Sequence, residues 1–376
     1  MVLFLFAMFV LVGALESSGA IEHLADWFAG LAHRPEDLPL MLFVGFGLLS
    51  TIVVNDALVL VGVPVLIALA RRTQLSPRPF LLSLAFAVTV GSVATPIGNP
   101  QNLLVAASSG LPSPFAEFLR FLLLPTLAAL LLGGLYLRWV LRRGDPVPDG
   151  PFRSAHAKAP PLFPPGDWYG RLRRFPVLWL FPAVLAATVT VDVTSAEVGG
   201  PAVPIYALPL AGALLLLAIS PNRRPVLEGV NWTILLLFVG LFLVVGAAVE
   251  GGVIGYLASI LPLPGPSTGL AALPAITVTS LLGPQVFSNV PWVALQIPLF
   301  QSVGYGASTP VAWMALAAAS TLAGNLTILG AASNIILIDR AERLGEHISL
   351  GEFVRLGVPL TALSVALVLG FLAIGL

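Results

Sequence analysis

Long apolar runs, separated by short polar segments, make up most of this 376-residue chain. A run of about 20 apolar residues is long enough to cross a bilayer as a helix. We interpret each uninterrupted run as a continuous membrane-spanning helix. These runs are residues 2–16, 118–139, 175–192, 203–219, 231–249 and 353–375. The first run lacks the basic segment and cleavage pattern of a signal peptide, so we expect it to be a helix of the mature protein.

Other apolar segments are interrupted by polar residues. Residues 38–70 form two arms, each too short to cross comfortably, that meet at Asn55, and residues 271–304 repeat this plan around Asn289. Both segments predict re-entrant hairpins. Unpaired backbone at membrane depth is tolerated only where it is buried in protein or lines a wet cavity. Function is therefore expected at the two hairpin tips.

Two further segments predict helices that unwind in the middle. Residues 79–110 contain the sequence Thr-Pro-Ile-Gly-Asn-Pro-Gln-Asn, and residues 310–340 contain Asn-Leu-Thr-Ile-Leu-Gly-Ala-Ala-Ser-Asn. Proline removes a backbone donor and glycine turns without a Cβ, so both runs disfavour a continuous helix. We call the two interrupted stretches the first break and the second break.

The polar interruptions occur twice at nearly constant spacing. The interval from Asn55 to Asn289 equals the interval from Pro64 to Pro298. The interval from Gly98 to Gly330 is almost the same, and it equals the interval from Asn102 to Asn334. Paired sets of helix-breaking residues inside apolar sequence are typical of membrane transporters built from internal repeats.

The composition agrees with this class. Hydrophobic residues make up 57% of the chain and charged residues 10%, with a mean hydropathy of +0.97; a soluble domain carries roughly 25% charged residues. We therefore predict an all-α, polytopic membrane protein. The 18 basic and 18 acidic residues balance, which gives no indication of nucleic-acid binding, and the absence of Cys excludes disulfides and thiolate sites.

Arginine placement predicts the topology. Arg residues cluster after the first hairpin, in the long central connection, at 223–224 and at 340–343, whereas residues 250–270 and 301–309 contain no Lys or Arg. All the Arg-rich loops can be cytoplasmic at once, and the two halves are then inverted relative to each other. The predicted organisation is a first repeat at 1–143, a Pro-rich cytoplasmic linker at 144–174, and a second repeat at 175–376 with scaffold helices at 175–249.

The hairpin Asn-Asp pair and the two break sequences resemble the ion transporter superfamily. The similarity is greatest to the arsenite permease and sodium/proton antiporter family, of the anion permease type, related to the divalent anion/sodium symporters. It covers nearly the whole chain. It implies a homodimer with an elevator-type transport domain, made of both hairpins and both broken helices, and a scaffold of the remaining spans. Members commonly have further helices before the first hairpin, whereas this chain has a single predicted one.

The candidate substrate- and ion-binding residues are polar residues and glycines of the tips and breaks. Amides both donate and accept hydrogen bonds, half-helix N-termini attract anions, and unwound carbonyls coordinate cations. The candidates are Asn55, Asp56, Thr95, Gly98, Asn99, Asn102, Ser288, Asn289, Asn325, Thr327, Gly330, Ser333 and Asn334.

Asp56 is the one charged residue in the predicted tips and breaks. A carboxylate at membrane depth is expensive unless it binds a proton or a cation, so Asp56 is the candidate coupling residue. An alternative is that Asp56 caps the helix that starts at Ala57. Sodium could also bind loop carbonyls near Asn55 and Asn289. No other cofactor and no protein-bound metal are expected.

We expect secondary active transport of a small inorganic oxyanion or its neutral acid, such as arsenite or antimonite, coupled to H⁺ or Na⁺, in the inner (plasma) membrane. The alternatives are a sodium/proton antiporter and a sodium-coupled di- or tricarboxylate symporter. A channel is disfavoured by the duplicated discontinuous helices. An enzyme is disfavoured because no nucleophile with a base, and no acid pair, lies in the apolar segments.

Overall fold

A computed structural model describes residues 2–141, 175–198, 203–220, 223–228, 230, 232–261 and 263–375. Helices are the regular secondary structure of this part of the chain, which confirms the all-α prediction. The predicted linker at 144–174 lies outside the described residues.

The first half contains two helices before the hairpin, then the hairpin, the broken helix and a long helix. The bounds are α1 Val2–Ser17, α2 Ala20–Gly30, α3 Leu38–Ser50, α4 Asn55–Thr73, α5 Pro77–Gly91, α6 Pro100–Ser108 and α7 Pro114–Leu141. A short 3₁₀ turn, Ser92–Ala94, extends α5 into the first break. The sequence did not predict α2, which is short and follows directly on an apolar run.

The second half starts with further helices and then repeats the order of hairpin, broken helix and long helix. The bounds are α8 Val177–Val198, α9 Ala207–Ile219, α10 Arg224–Glu228, α11 Trp232–Glu250, α12 Val253–Ile260, α13 Leu273–Leu282, α14 Pro284–Phe287, α15 Asn289–Val303, α16 Pro310–Leu322, α17 Ala332–Arg343 and α18 Leu350–Ala373. The span expected at 203–219 is shorter, because Pro204 precedes a turn and helix α9 begins only at Ala207.

Within the described residues, six helical segments are long and apolar enough to cross a membrane. They are Pro77–Ala94, Pro114–Leu141, Val177–Ser195, Trp232–Glu250, Pro266–Phe287 and Leu350–Ala373. The fourth, which is helix α11, is largely exposed, whereas the first, which contains α5, is almost wholly buried. A helix that exposes apolar side chains along most of its length is suited to contact with lipid rather than water.

The two halves pack with the same pattern of neighbours. The first hairpin arm lies against the helix that leads into the break of the same half: α3 against α5, and α13 against α16. The helix after each break packs on the returning hairpin arm of the other half: α6 on α15, and α17 on α4. The long helices α7 and α18 pack on each other. This exchange between the halves brings both breaks into one buried region; the inverted orientation of the halves stays a prediction.

Helix α1 is enclosed by the rest of the protein. It packs against α9, α10 and α8, and residues from Phe4 to Ala14 are buried on nearly every side. An apolar helix without a polar face fits this surrounding. The single long run before the first hairpin is therefore part of the buried core of the protein.

Candidate functional site

The first hairpin tip is joined to the first break by backbone and hydroxyl hydrogen bonds. The Asn55 N–H donates to the Gly98 carbonyl at 3.0 Å. The Thr95 hydroxyl donates to the Thr51 carbonyl at 2.5 Å and accepts the Gly98 N–H at 3.2 Å. Asn55, Asp56, Thr95 and Gly98 therefore lie together, and all four are buried.

Local sequence explains why the chain unwinds here and restarts. Pro100 occupies the first position of α6, where its missing N–H costs nothing. Asn99 precedes it in extended conformation, and its Oδ1 accepts the Asn102 N–H at 2.8 Å as a helix cap. The N-terminus of α6 is thereby fixed directly after the turn at Gly98.

The second hairpin tip has a strained residue. Ser288 has φ 63° and ψ 162°, a region that non-glycine residues rarely adopt, and Asn289 follows it as the first residue of α15. At the first tip, Val54 occupies the equivalent position with φ −56° and ψ 128°. The two tip asparagines make the same local contact: Asn289 Oδ1 accepts the Val290 N–H at 3.0 Å, and Asn55 Oδ1 accepts the Asp56 N–H at 2.9 Å.

Gln285 ties the second tip to the second break, and sequence reasoning missed it. Its Oε1 accepts the Thr327 hydroxyl at 2.7 Å, and its Nε2 donates to the Ala323 carbonyl at 2.9 Å. In the repeat that relates Asn289 to Asn55, Gln285 is equivalent to Thr51, whose carbonyl receives the Thr95 hydroxyl. The hairpin spacing contained this signal, but Gln and Thr are too dissimilar to suggest a pair.

Several predicted amides bind the protein itself. Asn102 Nδ2 donates to the carbonyls of Ser92 at 2.9 Å and Thr95 at 3.1 Å, and Asn334 Nδ2 donates to the Gly324 carbonyl at 2.6 Å. Ser92 and Gly324 are themselves equivalent, because the interval between them equals the interval between the two asparagines. These matching contacts hold the ends of both breaks together, so Asn102 and Asn334 shape the breaks.

Three buried oxygens at the second break receive no hydrogen bond from the described residues. Among the described residues, no group donates to Asn325 Oδ1, Ser333 Oγ or Asn334 Oδ1, although each residue is at most 1% exposed. In the first half, Gln101 Oε1 is in the same situation. Buried polar atoms in native proteins almost always have a partner, so these atoms are available for a water, a ligand that forms hydrogen bonds or a cation.

Asp56 is the one charged residue within the hairpin tips and the two breaks. It is 6% exposed, and no described residue hydrogen-bonds its carboxylate. The alternative that Asp56 caps a helix is wrong, because α4 begins at Asn55 and Asp56 lies inside its first turn. The same described part of the chain contains no group of three His, Asp or Glu side chains that would hold a metal ion.

A cavity of about 370 Å³ lies away from both tips. It separates the α6–α7 junction from α8 and α9, and its polar wall includes Asp192 and Tyr206. Asp192 Oδ2 accepts the Phe115 N–H at 2.9 Å, which caps the N-terminal turn of α7. Asp192 is thus already engaged in joining α8 to α7.

The fold, the spans and the paired breaks define a multi-pass membrane transporter. The family model for CitMHS, the citrate transporter family, matches residues 1–323, and the chain belongs to this family. A relative described as an uncharacterized transporter of Mycobacterium tuberculosis is 31% identical over 372 residues, which cover 96% of this chain and 83% of the relative. The silicon efflux transporter of Oryza sativa subsp. japonica is 28% identical over 411 residues. This alignment covers 96% of this chain and 84% of the rice protein.

Among solved structures, the YdaH transporter of Alcanivorax borkumensis shares the fold. The two structures superpose with a TM-score of 0.55 at 16% sequence identity. The match covers 99% of this chain and 84% of that chain. That transporter has an unusual topology. The resemblance to the anion-permease group of the ion transporter superfamily is therefore confirmed at the level of family and fold.

Proposed function

We propose that this protein moves a small, fully protonated oxyacid, such as arsenous or silicic acid, and that Asp56 couples this movement to protons or sodium. The observation that carries the proposal is the charge of the site. Its one charged side chain is an acid, and the unpartnered buried atoms of the two breaks are oxygens. A neutral hydroxide donates hydrogen bonds to such oxygens and brings no charge that needs compensation.

A citrate trianion is a poorer match for the same residues. Each helix N-terminus contributes roughly half a positive charge, so two hairpin tips cannot balance three carboxylates. Asp56 would add a further negative charge while it is ionised. Citrate would therefore need bound cations. Citrate is the second candidate substrate because the family is described as a citrate transporter family. The name of the rice relative, a silicon efflux transporter, supports the neutral hydroxide.

We further propose a division into two moving parts. The hairpins and broken helices would form an elevator-type transport domain, and the other spans would form the scaffold of a homodimer. The exchanged packing of α6 on α15 and of α17 on α4 supports one compact transport domain. The same packing supports inverted repeats at 1–143 and 175–376, with the candidate residues between them.

The test is transport by purified protein in liposomes with arsenite, silicic acid, citrate with and without Mg²⁺, and a pH or sodium gradient. We expect saturable flux of the neutral acids that is lost in Asn55→Ala and Asn289→Ala. The matched control for Asp56→Asn is Asp339→Asn, because Asp339 is exposed near the end of α17 and pairs with Arg343. Citrate flux without neutral-acid flux would overturn the substrate assignment. Sodium/proton exchange alone, lost in Asp56→Asn, would establish the antiporter alternative.

A further inference from the structure

Thr321 lies in the last turn of α16 and is 1% exposed. Its hydroxyl oxygen accepts Asn99 Nδ2–H at 3.1 Å and Gln101 Nε2–H at 3.3 Å, and its O–H donates to Asn102 Oδ1 at 3.0 Å. A single hydroxyl from the second half therefore contacts three amide side chains of the first break.

These amides determine the shape of the first break. Asn99 caps α6, and Asn102 holds the carbonyls of Ser92 and Thr95. The carbonyl of Gly98, between them, receives the N–H of Asn55 at the hairpin tip. The position of the tip thus depends on amides that Thr321 orients.

The equivalent residue of the first half makes no such contact. Thr89 precedes Thr321 by the same interval that separates Gly98 from Gly330, and it is equally buried. Its hydroxyl donates at 3.1 Å to the carbonyl of Ala85 in its own helix. Asn334, the counterpart of Asn102, is left with an Oδ1 that receives no hydrogen bond from the described residues. The contact between the halves is therefore one-sided.

We propose that Thr321 is a positioning residue that fixes the first break and the Asn55 tip for substrate binding, whereas Thr89 is not. The effect on substrate rests on the function proposed above. The effect on the break does not, and it can be measured without any substrate.

The experiment compares Thr321→Val, which keeps the shape and removes the hydroxyl, with Thr89→Val as the matched control and Thr321→Ser as the rescue. Hydrogen–deuterium exchange is followed for peptides covering residues 95–102. Loss of one buried donor is expected to speed exchange about tenfold in Thr321→Val. Thr89→Val and Thr321→Ser should exchange like the unaltered protein. Thr321→Ala also removes the hydroxyl and is measured in parallel, so the effect of losing the hydroxyl can still be measured if Thr321→Val misfolds.

Transport provides the second readout. In liposomes, Thr321→Val should raise the half-saturation concentration for arsenite about tenfold, with a much smaller change in the maximal rate. Equal effects of Thr321→Val and Thr89→Val, or failure of Thr321→Ser to restore exchange protection, would overturn the assignment. If the unaltered protein carries no arsenite, the proposed function fails, and the exchange experiment still decides the role of Thr321.

Discussion

Replacement of Gly98 by Ala tests how closely the first break is packed. A Cβ at Gly98 would lie 2.5 Å from the Ser92 carbonyl oxygen, 2.6 Å from Ser92 Cα and 2.9 Å from the Ser50 carbonyl oxygen. All three atoms are backbone, so relief requires Gly98 to move away from the 3₁₀ turn at Ser92 and from the end of α3 together. Overpacking costs about 1–3 kcal/mol, and weakening of the Asn55 N–H bond adds about 1 kcal/mol. We expect a loss of roughly 2–4 kcal/mol in the free energy of unfolding.

The assay is thermal unfolding in detergent together with arsenite flux in liposomes. Gly98→Ala should unfold at a lower temperature than the unaltered protein. Its arsenite flux should fall by more than about tenfold, because the expected loss of free energy exceeds about 1.4 kcal/mol, which corresponds to a factor of ten. Gly330→Ala should be milder, because one atom, the Ala323 carbonyl oxygen at 2.7 Å, lies closer than 3.0 Å to its Cβ, whereas three atoms do so at Gly98. Gly246→Ala is the control, since nothing lies within 4 Å of its Cβ. Flux and stability like those of the unaltered protein in Gly98→Ala would refute the reasoning.

Further substitutions probe charge and strain. Asp56→Asn should remove the dependence of flux on the pH gradient without lowering thermal stability, because no described residue hydrogen-bonds this carboxylate; a gradient response that survives contradicts the coupling role. Ser288→Gly should stabilise the protein by roughly 1 kcal/mol, because relief of the backbone strain exceeds the extra conformational entropy that glycine loses on folding. An unchanged melting temperature would argue against strain at this position. Arg138→Ala should cost about 2 kcal/mol, measured by chemical denaturation, since it leaves partly buried Asp37 without its cation; loss of the exposed Arg343 pairing should have little effect.

Much of the architecture was predictable because apolar length and helix-breaking residues act locally. The hairpin arms at 38–70 and 271–304 and the breaks near Gly98 and Gly330 appear within a few residues of their predicted bounds. Helix α9 was shorter than expected because a proline-containing turn occupies part of an apolar run, and hydropathy alone does not distinguish a turn from a helix.

The fine structure of the candidate site was not predictable from the same patterns. Thr321 and Gln285 act through side-chain contacts across long sequence separations, and neither stands out in an apolar helix or near a tip. Asn102 was predicted to bind the substrate or ion, yet its amide nitrogen donates to backbone carbonyls of its own break. A sequence shows that an amide lies at membrane depth; only the fold shows whether that amide has a free hydrogen-bonding atom.

The differences between the two halves indicate where a ligand would act. The first break is buried throughout and its amides are oriented by Thr321. The second break is partly exposed at residues 326–329, its tip is strained at Ser288, and oxygens of Asn325 and Asn334 lack donors. A ligand gains most free energy where it satisfies buried atoms and relieves strain, because those interactions are missing in its absence. We therefore expect substrate to reorganise the second tip while the first stays fixed. Substrate-induced protection from hydrogen exchange should then appear in residues 285–290 and not in residues 51–56.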